Sequence, residues 1–113
     1  MSTLTKADEL RYEQIHAMPC IACRIAKHVV QCGRTEAHHL VDKGYRRLSG
    51  GNQATLPLGG WHHRGEPPKG HTVKSATAKW GPSLFHESKR FHATYGSQRQ
   101  LLARVNEEIG VAA

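Results

Sequence analysis

The stretch EAHHLVDKGYRRLSGGNQATLPLGGWHHRG, residues 36–65, carries two histidine pairs, His38-His39 and His62-His63, on either side of a polar, glycine-rich segment. Side chains alternate along a strand, so adjacent histidines point to opposite faces, and a single pair reads as one buried and one exposed residue. The second pair changes that reading. Lys43 to Gln53, rich in Gly, Arg and Asn, reads as a loop, and Ala54 to Leu58 reads as a second short strand. His62 then stands at the start of a short helix that Gly65, Pro67 and Pro68 interrupt. Strand, loop, strand and helix in this order make a β-hairpin crossed by a helix around one metal.

Upstream, Val29-Val30 and Thr35 to Val41 can be extended, and Cys20-x-x-Cys23 has the spacing of a zinc knuckle, in which a tight turn aims two thiolates at one tetrahedral ion. A redox role for the same motif requires a helix N-terminus in a strand-helix setting, which the sequence does not show. A structural site needs four ligands, and the residues available for the other two positions are His62, Cys32 and His28. The count of three cysteines is odd, and a reducing compartment disfavours disulfides, so all three read as ligands or free thiols.

At 113 residues the chain is expected to be one domain, residues 1–113. An N-terminal helix within residues 1–18 starts at the capping pattern Thr5-Lys6-Ala7-Asp8 and stops at Pro19. Residues 20–65 form the knuckle and hairpin core, and 66–82 read as an irregular surface loop. Residues 83–110 form two helices. The first, Ser83 to Tyr95, carries Leu84, Phe91 and Tyr95, with Gly96 as its cap. The second follows the capping box Ser97 to Gln100, with Leu101, Leu102, Val105 and Ile109 as its buried stripe. Trp61 and Trp80 read as packing residues, and His16 and His92 receive no role.

Hydrophobic residues make up 38% and aromatic ones 6%, a small core that a metal staple would strengthen. Lys and Arg number 16 against 9 acidic residues, a net charge of +7, and the pI is about 9.7. Such a surface attracts polyanions, most often nucleic acid. No stretch is long and apolar enough to span a membrane, and the N-terminus has no apolar signal core, so a cytoplasmic protein is expected.

Glu36-Ala37-His38-His39-Leu40, Gly51-Asn52, Leu56-Pro57-Leu58 and His62-His63-Arg64-Gly65 together resemble the HNH, or ββα-metal, nuclease motif. With Gly81-Pro82-Ser83-Leu84, Phe91 to Gly96 and Leu101-Leu102, the string over residues 17–106 resembles the Ref-type RecA-dependent nucleases of bacteriophages. The resemblance implies an α+β, HNH-like domain with a zinc knuckle, a short β-hairpin and flanking helices. It also implies a metal-dependent DNA endonuclease in phage recombination that leaves 5′-phosphate and 3′-hydroxyl ends. DNA is the implied partner, with the RecA filament as a second, and a phage-encoded chain would act in the bacterial cytoplasm.

By the same resemblance His38 and His63 are ligands of a catalytic divalent ion (Mg²⁺, Mn²⁺ or Zn²⁺), and His39 is the general base. Asn52 steadies the loop and the base or approaches the metal. The third ligand is His86, with His71 as the alternative. Related sequences usually complete the structural zinc with a Cys where this chain has Gly59, so Cys32 is the natural substitute. The expected structural site is therefore Cys20, Cys23, Cys32 and His62, with His28 as the alternative to Cys32. Lys43, Arg46, Arg47 and Arg64 are placed in the sequence to hold flanking phosphates. Two other readings remain at this point: a non-catalytic zinc-stabilised DNA-binding module and a protein-interaction adaptor.

Overall fold

The computed structural model describes residues 4–110. Helix α1 (Lys6–Ala17) opens on a capping box: the Thr5 hydroxyl accepts from the Asp8 N–H at 3.0 Å, and the Asp8 carboxylate accepts from the Thr5 N–H at 3.3 Å. Two donors that the helix start would leave unsatisfied are thereby paired. Only Arg11 and Ile15 of α1 are buried, so apolar packing alone does not dock this helix. Arg11 supplies the attachment. Its guanidinium donates to the Thr55 hydroxyl (3.0 Å), the Thr55 carbonyl (2.7 Å) and the Asn106 side-chain oxygen (2.6 Å).

After α1, the short helix α2 (Ile21–Ile25) starts directly after Cys20. Strand β1 (Thr35–His39) pairs antiparallel with β2 (Thr55–Gly59) in a two-stranded sheet, placing His38 opposite Leu56 and His39 opposite Thr55. Helix α4 (Gly60–Arg64) follows β2 without a break. The α+β class and the strand, strand, helix order are therefore both present.

Three segments differ from the sequence reading. Residues 43–53 are not a plain loop, because they hold the one-turn helix α3 (Arg46–Ser49) and a 3-10 turn over Gly51–Gln53. Residues 66–82 are not wholly irregular, because α5 (Val73–Trp80) lies within them. The Thr72 hydroxyl accepts from the Ser75 N–H, and the Ser75 hydroxyl accepts from the Thr72 N–H, so a serine takes the place usually held by Glu or Gln in a capping box. Ala76 and Trp80, one turn apart, bury the inner face of α5.

The helix expected from Ser83 begins only at Ser88, as α6 (Ser88–Tyr95). Residues 83–87 form a turn in which the Ser83 hydroxyl accepts from the His86 N–H and the Leu84 N–H donates to the His62 carbonyl at 2.8 Å. Helix α7 (Gln98–Ile109) carries the Ser97 and Gln100 capping box and buries Leu101, Leu102 and Val105.

The core gathers Ile15, Leu56, Leu58, Trp61, Trp80, Phe91, Leu101 and Val105 from β2 and most helices. Burial of side chains of this size contributes roughly 1.5–3 kcal/mol each. Both indoles pack and also donate: Trp61 Nε1 to the Gly81 carbonyl at 3.0 Å, and Trp80 Nε1 to the Val30 carbonyl at 2.9 Å. Among the described residues no helix is long and apolar enough to cross a membrane.

Candidate metal centre and active site

Cys20 at the head of α2, Cys23 within it, Cys32 on the segment leading to β1 and His62 in α4 place their ligand atoms within 4.8 Å of one another, all on buried residues. His62 Nδ1 is 3.0 Å from the sulfur of Cys32, 3.4 Å from that of Cys20 and 3.6 Å from that of Cys23. The sulfurs of Cys20 and Cys32 are 3.9 Å apart. A tetrahedral zinc ion with ordinary bond lengths separates two sulfurs by about 3.8 Å and sulfur from nitrogen by about 3.6 Å, so this donor set fits it.

On the far side of the ring, His62 Nε2 lies 2.8 Å from the Trp80 carbonyl and 3.2 Å from the Tyr95 hydroxyl. A carbonyl can only accept, so Nε2 carries the hydrogen and the Nδ1 lone pair faces the sulfurs. Hydrogen bonds from Cys23, then Cys32, hold the Cys20 thiol below its usual range. Burial opposes charge on His62, but hydrogen bonds to Cys20 and Cys32 and the charges of those two residues outweigh it and raise its pKa to about 10. A divalent cation would displace the proton that this puts on Nδ1 and take the lone pair together with the negative sulfurs.

Two other readings of these residues are less well placed. His28 stacks against His62 with ring centres 6.4 Å apart, and its Nε2 faces the Trp80 carbonyl at 3.3 Å, outside the cluster. The segment before Cys20 is α1 rather than a strand, so the redox setting is absent among the described residues.

A second constellation surrounds β1. Glu36 and His38 alternate onto the face that meets α4. The rings of His38 and His63 stand edge to face with centres 5.2 Å apart, and His63 Nδ1 is 2.7 Å from Glu36 Oε1. Arg64 grips the same carboxylate through Nε (2.9 Å) and Nη2 (2.6 Å) and pairs with Glu66 at 2.7 Å. These contacts, Arg64 first, keep the Glu36 carboxyl below its ordinary pKa against partial burial. An ionised Glu36 accepts from His63 Nδ1, which leaves the His63 Nε2 lone pair free for a ligand.

His38 Nε2 is the one buried side-chain nitrogen or oxygen without a hydrogen-bond partner among the described residues. Burial, then the charges of His63, His39, His92 and Arg46, lowers its pKa to about 4. At neutral pH His38 is therefore an uncharged imidazole with an unused lone pair, beside a histidine oriented by a carboxylate. Both rings have the chemistry of metal ligands.

On the other side of β1, His39 Nε2 is 2.9 Å from Asn52 Oδ1 and 2.9 Å from the Tyr12 hydroxyl, which itself donates to Asn52 Oδ1 at 2.9 Å. His39 Nδ1 makes no hydrogen bond among the described residues.

A family model described as recombination enhancement, RecA-dependent nuclease, matches residues 5–110 of the chain. The chain belongs to this family. No curated protein matches it. The family and the two-stranded hairpin with its Cys3His cluster identify an HNH-type, metal-dependent nuclease, which sets aside the binding-module and adaptor readings.

In this RecA-dependent nuclease the third-ligand candidates stand apart from the His38 and His63 pair. Among the described residues the Cys3His cluster is the one group of three or more metal-competent side chains within 4.8 Å. His86 is exposed, and its Nε2 lies 2.9 Å from the Gly65 carbonyl. His71 packs edge-on against Trp80 and bonds Ser75 through Nδ1. Lys43, Arg46 and Arg47 are exposed on the connection between the strands, whereas the guanidinium of Arg64 is engaged by two carboxylates.

The sequence reading gave no role to Tyr12, Glu36 or His92, although each bears on the histidines. Glu36, two residues before His38, could have been found from strand alternation. Tyr12 reaches the site from a helix that the motif does not include, and His92 of α6 bears on His38 only through its charge.

Proposed function

We propose that this nuclease hydrolyses DNA phosphodiesters with His38 and His63 holding a divalent ion and His39 acting as general base. The observation that carries the reading is the buried, unpartnered Nε2 of His38 beside the carboxylate-oriented His63. A divalent ion at this place would stabilise the charge that develops on phosphoryl and leaving oxygens. Imidazole ligands favour first-row transition ions, and two protein nitrogens leave positions for water and phosphate oxygens. His86 is the remaining candidate for a third position and would have to leave the Gly65 carbonyl to take it.

Asn52 Oδ1 is an acceptor, so the hydrogen of a neutral His39 sits on Nε2 and its Nδ1 lone pair is the one that takes a proton from water. His39 is the last residue of β1, and a phosphate lying across that end of the hairpin would bring the attacking water to this nitrogen. Exposed Lys43, Arg46 and Arg47 hold flanking phosphates, and Arg64 fixes Glu36 instead. The DNA is presented on a RecA filament, in keeping with the family. The closed Cys20, Cys23, Cys32 and His62 site holds structural zinc and takes no part in the reaction.

The test is Mn²⁺ binding by calorimetry on zinc-loaded protein. Wild type should bind one Mn²⁺ that His38→Ala loses while its zinc content is unchanged. Equal Mn²⁺ binding by that variant would refute the assignment.

A further inference from the structure

Helix α1 lies outside the hairpin that supplies the histidines, yet two of its residues, one turn apart, clamp the 3-10 turn bearing Asn52. The Asp8 carboxylate accepts from Gln53 Nε2 at 3.1 Å, and hydrogen bonds from Gln53, then Asn52, hold its carboxyl below the usual range. One turn further along, the half-buried Tyr12 places its hydroxyl 2.9 Å from both Asn52 Oδ1 and His39 Nε2, with its ring edge-on to His39 at 6.0 Å. Residues 8 and 12 share a face of a helix. That face meets the turn and the end of β1 together.

The closed triangle of Tyr12, Asn52 and His39 constrains every proton in it. Asn52 turns its Oδ1 toward the other two groups. Tyr12 donates its only hydrogen to Oδ1 and accepts, with Oδ1, from His39 Nε2–H. The other tautomer of His39 would turn an Nε2 lone pair toward Asn52 Oδ1, which offers it no hydrogen, and would draw the Tyr12 hydrogen away from that oxygen.

We infer that Tyr12 is a positioning residue for the general base: its hydroxyl, on the helix that Asp8 ties to the Asn52 turn, holds Asn52 Oδ1 against His39 Nε2, so that His39 keeps the Nε2–H tautomer and Nδ1 stays free for water. This rests on the proposed role of His39 as base.

The experiment compares Tyr12→Phe, which keeps the ring, with wild type and His39→Ala. Measured are DNA cleavage rate, DNA affinity, melting temperature and the imidazole nitrogen NMR shifts of His39. Tyr12→Phe should cut about tenfold more slowly. Its DNA affinity and melting temperature should match wild type, and His39 should show mixed tautomers. Wild type should show the Nε2–H form alone.

If Tyr12→Phe keeps the wild-type tautomer, the inference fails, whatever its rate. If its rate falls only together with its melting temperature, with the tautomer unchanged, Tyr12 is merely structural and the inference also fails. If His39→Ala cuts normally, the base assignment itself is wrong, a result separate from either of these.

Discussion

The sulfur of Cys32 fills the space beside Gly59: a β-carbon built on Gly59 would stand 2.4 Å from Cys32 Sγ. A cysteine at position 59 and one at position 32 would therefore compete for the same corner of the metal site. Cys32→Ala should lose zinc and melt lower by about 10 °C, equivalent to roughly 2 kcal/mol. Gly59→Cys alone should also destabilise, through the collision. The double variant should recover zinc and much of the melting temperature, read by metal analysis and calorimetry. A double variant that binds no zinc would mean that the two positions are not equivalent.

Arg11 joins three elements through hydrogen bonds to Thr55 and Asn106 while almost entirely buried, and it has no carboxylate partner in those bonds. Arg11→Met keeps the stem but leaves the buried Thr55 acceptors and the half-buried Asn106 oxygen without their donor. The expected loss is about 2–3 kcal/mol in urea denaturation, with zinc content unchanged.

His38 gives the fold a pH dependence of known sign. In the unfolded chain its imidazole takes a proton near 6.5, but in the folded protein only near 4. Between those values the unfolded state binds more protons, so stability rises with pH across the interval. The contribution is complete above 6.5 and is lost as pH falls toward 4, by up to about 3 kcal/mol. Urea denaturation from pH 4 to 7 without added divalent ion should show a shallower slope for His38→Gln than for wild type.

Glu36 orients His63 at 2.7 Å and is itself gripped by Arg64. Glu36→Gln should leave the fold intact yet weaken binding of the second metal by about 10–100-fold. Titration of Mn²⁺ into zinc-loaded protein measures this. Unchanged affinity would place the metal elsewhere.

Much of this was legible in sequence because local rules were enough. The capping boxes at Thr5 and Ser97 and the stripe Leu101, Leu102 and Val105 appear where periodicity places them. Cys20, Cys23, Cys32 and His62 converge as the spacing and the missing cysteine at position 59 suggested. Helix α5 was hidden because Thr72 and Ser75 make a weak-looking box and only Ala76 and Trp80 carry its buried face. The late start of α6 depends on Ser83 and Leu84 bonding to the following turn and to His62, a long-range contact that no window of sequence contains. Tyr12 was hidden for the same reason, since its partners lie 27 and 40 residues away.

The most direct test of the central claim is cleavage of DNA in Mg²⁺ or Mn²⁺, with and without RecA filaments, by wild type and His39→Ala. Wild type should cut in the presence of RecA, and the variant should be slower by about 10²–10⁴-fold while retaining its zinc and its DNA affinity. Cleavage by His39→Ala at the wild-type rate would contradict the account.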